Sequence, residues 1–100
     1  MKTIKTILKE IPKIQNMISN NGNNIPNQII IRTNNGMFFQ SYDTIIAAIL
    51  RDGRMLLDKN KWDYSKTTSI YRNQFLQIDK RETERLIKEG KIKLVDLSLP

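Results

Sequence analysis

Thr44 to Asp58 reads TIIAAILRDGRMLLD, and the reading of this stretch decides the fold. By residue preference its first half could be a helix, because Ala and Leu are good helix formers. The Asp52-Gly53 pair argues for a different shape: a strand over Thr44–Leu50, a tight turn, and a returning strand MLLD. The residues just upstream support that second reading. QIIIRT (Gln28–Thr33) and MFFQSY (Met37–Tyr42) are short apolar runs separated by Asn34-Asn35-Gly36. An Asn-Gly pair between apolar runs is a strong hairpin signal, since both central residues of such a turn take positive φ. Two successive hairpins imply a four-stranded antiparallel meander.

Outside this block the pattern becomes helical. Ile4, Ile7, Leu8, Ile11, Ile14, Met17 and Ile18 recur every three or four residues, as on one face of an amphipathic helix. Lys2, Lys5, Lys9 and Lys13 fall largely on the opposite side. Pro12 removes a helical hydrogen bond and crowds the preceding turn, so the expectation is a kink, or two short helices meeting at Ile11-Pro12. SNNGNNIPN (Ser19–Asn27) reads as a loop. After the meander, Ser65 or the Thr67-Thr68 pair can cap a helix of about ten residues carrying Tyr71 and Phe75. A second helix starts at Asp79, with capping-box spacing to Glu82, turns Leu86 and Ile87 inward, pairs Glu84 with Lys88, and ends at Gly90. KIKLVDLSL (Lys91–Leu99) alternates as a strand that joins the sheet. The expected fold is therefore α+β in one domain over residues 1–100: an N-terminal helix, a four-stranded antiparallel meander, two helices, and a C-terminal strand.

Composition limits the chemistry. The chain has 17 Lys and Arg against 10 Asp and Glu, a formal charge of +7, with no His and no Cys. Disulfides, thiolate nucleophiles, imidazole bases and Cys/His zinc sites are excluded. There is no Walker loop, GxGxxG or serine elbow. Glu82 and Glu84 are two apart and point to different sides of a helix. Asp52, Asp58 and Asp63 are the only neighbouring carboxylates from which a hydrated magnesium site could be assembled, and surface turns are commonly acidic without holding a metal. The expectation is a non-enzyme with no cofactor. No apolar run reaches the length of a bilayer span, and Lys9 and Glu10 interrupt the N-terminal apolar stretch too early for a signal peptide, so an intracellular protein without a membrane partner is expected.

The charge surplus favours an acidic partner, although lysine-rich and asparagine-rich composition also follows from AT-rich codons. NKWDYSKTTSIYRNQFLQ (Asn60–Gln77) concentrates Trp62, Tyr64, Tyr71 and Phe75 among Lys61, Lys66 and Arg72. Aromatics can stack on unpaired bases while cations hold phosphates, and Ser and Thr hydroxyls can meet phosphate where a helix begins. The same aromatics could equally be core anchors, buried for their area, with the hydroxyls serving as caps. The candidate nucleic-acid contacts are Lys61, Lys66, Thr67, Thr68 and Arg72, with Lys2, Lys5 and Lys9 secondary.

The pattern Ser41, Tyr42, Thr44, then Gly53, then Tyr64, Ser65, Thr67, Thr68, Tyr71 and Phe75, followed by ETERLIKEGKIKLVDL (Glu82–Leu97), resembles a group of small, mostly uncharacterised proteins of bacteriophages and mobile elements. The likeness covers roughly the last sixty residues and excludes the N-terminal segment. It implies a viral or mobile-element origin and a bacterial host cytoplasm, and implies no reaction. Three functions compete. The first is a basic domain that binds nucleic acid. The second is a phage-encoded inhibitor that binds a host protein, such as a CRISPR component, at an acidic or nucleic-acid-bound face. The third is an assembly protein whose C-terminal edge strand pairs with its copy.

Overall fold

The computed structural model describes residues 12–98. It contains β1 (Lys13–Ile18), β2 (Asn24–Thr33), β3 (Gly36–Ser41), β4 (Thr44–Leu50), β5 (Met55–Asp58), α1 (Lys66–Leu76), α2 (Lys80–Lys88) and β6 (Ile92–Val95). The six strands form one sheet in the order of the sequence. β1 to β5 are antiparallel neighbours, and β6 lies parallel to β5. A parallel neighbour needs a long crossover, and α1 and α2 supply it.

This corrects the expected four-stranded meander with an N-terminal helix. The sheet is six-stranded and mixed, and Lys13–Ile18, read as the end of a helix, is a strand. Ile4–Ile11, the rest of that reading, lies outside the described residues. The reason for the error is physical. Ile14, Met17 and Ile18 are spaced as on a helix, but the β1–β2 register shifts between Asn16 and Ile18. Strand alternation puts Met17 on the core face and leaves Ile14 and Ile18 exposed on the other, so the three- and four-residue spacing that suggests one helical face is divided between two faces of a strand. The Asn-rich loop is also shorter than expected. Only the turn before Asn24 remains, closed by Ser19 N donating to Asn23 O at 2.8 Å.

Thr44–Leu50 is a strand, and both hairpins form, with turn details the residue pairs did not predict. Thr33 pairs with Gly36, so the first loop is Asn34-Asn35. Positive φ falls on Gly36, at +143°, and on neither Asn. Asn35 N donates to Thr33 Oγ1 at 3.0 Å and stabilises the turn from the side. In the second loop Gly53 takes φ +91°, and Leu50 N donates to Arg54 O at 2.8 Å, as in a three-residue loop with a left-handed glycine.

The helices cover the sheet face that carries Met37, Phe39, Ala47, Ile49, Leu57 and Ile92. Phe75 of α1 stacks on Phe39, with centroids 5.9 Å apart and planes at 30°. Burying a ring of that size contributes about 2–3 kcal/mol. Ser65 caps α1 by accepting from Thr68 N, and Asp79 caps α2 by accepting from Glu82 N. Glu84 pairs with Lys80 at 3.8 Å, in place of the expected Lys88. On the opposite face, register partners Ile14, Ile31, Phe38, Ala48 and Leu56 form an apolar row across five strands.

Gly36 lies close against the backbone of β4. A Cβ there would stand 2.3 Å from Ile49 O, a backbone atom that cannot move without opening the β3–β4 ladder. Gly36→Ala should cost about 2–3 kcal/mol through this clash and the unfavourable φ. Urea unfolding should show a lower midpoint with an unchanged slope, and an unchanged midpoint would contradict the geometry.

Candidate nucleic-acid interface

The segment singled out in the sequence forms the end of the sheet where β5 gives way to α1. Asp58 starts it. Its carboxylate is buried and accepts from Asn60 N at 3.2 Å and Leu97 N at 2.9 Å. Its backbone oxygen accepts from Trp62 N at 3.0 Å. Asp58 is thereby committed to holding the turn and the chain after β6.

Arg72 is the second anchor. No part of its side chain is exposed. Its Nη1 donates to Trp62 O at 2.5 Å and to Asp63 Oδ1 at 3.2 Å, and its Nη2 donates to Asn73 Oδ1 at 2.9 Å. The guanidinium lies 5.1 Å from the centre of the Trp62 ring, a favourable cation–π placement. Asp63 also accepts from Ser69 at 3.0 Å and pairs with Lys80 at 2.9 Å. One carboxylate thus joins the loop, α1 and α2. It is held below its ordinary value of 3.8, chiefly by the Lys80 ammonium, with Ser69 and Arg72 adding to the effect.

These bonds separate the sequence-predicted contacts. Arg72 and Thr68 face the interior. Thr68 Oγ1 lies 3.0 Å from Ser41 Oγ and fixes the first turn of α1 beside the β3–β4 turn. Neither side chain is open to a ligand. Lys61, Lys66 and Thr67 are exposed and lie together in the loop and first turn. Lys2, Lys5 and Lys9 lie outside the described residues. Trp62 and Tyr71 are half-buried against the core, so only Tyr64 among the segment's aromatics is open, at 45 %. Lys61 Nζ sits 5.0 Å from its ring centre.

The sequence reading missed Tyr42. It occupies the β3–β4 turn at this same end, 57 % exposed, with φ +57°. A bulky residue in the left-handed region is uncommon. It is stabilised by its own N–H, which donates to Asn27 O at 2.7 Å.

Among the described residues no group of three His, Cys, Asp or Glu side chains could hold a metal, and no helix is long and apolar enough to cross a membrane. The apolar face bears a depression of about 270 Å³ lined by Ile31, Phe38, Gln40, Ile45 and Leu97.

Fold and site together define a small α+β protein with helices on one face of an open mixed sheet and a cation-and-tyrosine end. The chain belongs to a family of unknown function (DUF8033), whose profile matches residues 12–92. That span takes in β1 to β3, beyond the sixty-residue likeness drawn from the sequence. No curated protein and no solved structure matches the chain.

Two outcomes follow from the Arg72–Asp63 joint. Arg72→Ala empties a fully buried site and leaves the Trp62 carbonyl unpaired, while Ser69 and Lys80 still hold Asp63, and should cost about 3 kcal/mol, read as a lower denaturation midpoint. An unchanged midpoint would show that the joint contributes nothing. The lowered Asp63 value means its stabilisation is complete above about pH 4 and is lost as the pH falls through the folded value. Asp63→Asn should therefore flatten the loss of stability below about pH 4, and an acid limb as steep as that of the wild type would contradict the assignment.

Proposed function

We propose that this protein is a non-catalytic nucleic-acid-binding protein whose loop-and-helix end holds a single strand. One observation carries the reading. Two of the acids at this end are already engaged, Asp58 with backbone N–H groups and Asp63 with Arg72 and Lys80, and Asp43 in the β3–β4 turn accepts from the Thr44 hydroxyl, while Lys61, Lys66, Thr67, Tyr64 and Tyr42 stay exposed. Tyrosine rings stack on any base, and the lysines and the Thr67 hydroxyl meet phosphate. A bacteriophage or mobile-element origin, with action in a bacterial host cytoplasm, belongs to the same proposal and rests on the sequence pattern from Ser41 to Phe75.

The second reading, a phage-encoded inhibitor of a host defence protein, is favoured by the apolar depression lined by Ile31, Phe38 and Ile45. It requires no affinity for free nucleic acid, and the binding measurement that tests the first reading separates the two.

Fluorescence anisotropy with a labelled strand of about 16 nucleotides should show binding that weakens steeply between about 50 and 200 mM salt. Tyr64→Ala should cost about 1–2 kcal/mol of affinity, and Lys61→Ala with Lys66→Ala should lower the salt dependence as well. Absence of binding at the lower salt would refute the proposal.

A further inference from the structure

The opposite end of the sheet carries a denser cationic group that sequence reading does not assemble. β1 begins there, at Lys13, and Lys13 is the register partner of Arg32 at the end of β2. The two hairpin loops of β2–β3 and β4–β5 project from the same end and are joined by Arg51 N donating to Asn35 O at 2.9 Å. Arg54 leads into β5 beside them. Residues 13, 32, 51 and 54, scattered over forty positions of the chain, thus meet along one rim.

Among the described residues a single carboxylate stands beside them. Asp52 accepts from Arg54 N at 3.1 Å and from Arg54 Nε at 2.8 Å. It is held below its ordinary value, first by the backbone N–H of Arg54. It therefore closes its own loop and neutralises Arg54. Among the described residues the Arg32 guanidinium meets a neutral acceptor, Met37 Sδ, at 3.1 Å, and no carboxylate. Arg51 makes no ion pair with any described carboxylate. Lys13, Arg32 and Arg51 are all exposed, and their charges remain available for a ligand.

The rim is shaped as well as charged. A shallow groove of about 600 Å³ runs between the hairpin loops, lined by Asn34, Asn35, Leu50, Arg51, Asp52 and Arg54. It continues past Arg51 to Arg32 and Met37. No aromatic side chain lines it among the described residues, so stacking on unpaired bases, the device available at the other end, is missing here. The remaining chemistry is charge-assisted hydrogen bonding by guanidinium and amide groups. Arginine forks suit phosphate oxygens. From β1 to β5 the rim spans four strand spacings, about 19 Å, enough for cations at its two sides to reach phosphates on both sides of a major groove about 12 Å wide. A β-hairpin is narrow enough to enter that groove.

We infer that this arginine rim is a second nucleic-acid site and that its ligand is double-helical DNA, held by phosphate contacts from Arg32, Arg51 and Lys13 with the Asn34-Asn35 hairpin directed at the groove. The site is separate from the tyrosine end and does not depend on it.

The test measures anisotropy with a labelled DNA duplex of about 20 base pairs and with one of its strands alone, on the full chain. Arg32 and Arg51 are exposed, and Arg32→Ala with Arg51→Ala should leave the thermal melt unchanged. That double variant should bind the duplex at least about tenfold more weakly, with a salt slope smaller by about two, while its affinity for the single strand holds. Tyr64→Ala should give the reverse pattern. Failure of the wild type to bind duplex at about 50 mM salt would overturn the inference and leave the single-strand reading standing. Equal loss of both ligands in the arginine variant would also overturn it, because one shared site would then account for all binding. Binding of duplex alone, with no single-strand affinity, would support the rim and remove the proposed role of the tyrosine end.

Discussion

The guanidinium of Arg72 is the joint on which the loop-and-helix end of this molecule is built. Buried completely, it connects the Trp62 carbonyl, Asp63 and Asn73, and so fastens a loop without regular structure to the first helix. Among the described residues its Nε has no partner, a desolvation cost that the nearby Trp62 ring and the hydrogen bonds of Nη1 and Nη2 must offset. A planar five-donor fork can satisfy several acceptors at fixed angles, which a lysine ammonium cannot. The loop is therefore held with Lys61 and Tyr64 turned outward, and its largest aromatic, Trp62, is used for packing.

Charge is distributed by the same logic. Six acidic side chains have structural duties. Asp79 caps a helix, Asp58 and Asp63 hold the loop, Asp52 closes a hairpin, and Glu82 and Glu89 both bind Arg85. Each of these contacts leaves fewer carboxylates to neutralise the solvent-facing lysines and arginines. Lys13, Arg32 and Arg51 stand exposed at one end of the sheet and Lys61 and Lys66 at the other, and the strands set the distance between them. A polyanion fits such a surface because counterions released from it supply much of the binding free energy.

How much of this was legible in the sequence depended on the range of the interactions. Caps at Ser65 and Asp79, the glycine stop at Gly90 and the strand at Thr44–Leu50 rest on neighbours within a few residues, and the chain displays them directly. Lys13–Ile18 was misread because apolar residues at 14, 17 and 18 fit one helical face as well as two faces of a strand, and six residues are too short a window to tell the periods apart. Arg72 looked like Lys61 and Lys66, because a list of cations does not reveal that one of them will be buried on Asp63 nine residues earlier. The first turn was displaced by one residue because Thr33 stabilises it from outside the Asn-Gly pair. The arginine rim was invisible for a plainer reason: its members come together only through strand register.

The most direct measurement of the central claim, that buried Arg72 organises the end while the exposed lysines and tyrosines contact the ligand, is an NMR titration of the labelled protein with a short single-stranded oligonucleotide. The account predicts progressive shifts of the Lys61, Tyr64, Lys66 and Thr67 amides and of the Tyr42 amide, with the Arg72 guanidinium signals unmoved and protected from exchange. Rapidly exchanging Arg72 signals that move with the ligand, beside silent amides over residues 61–67, would contradict it.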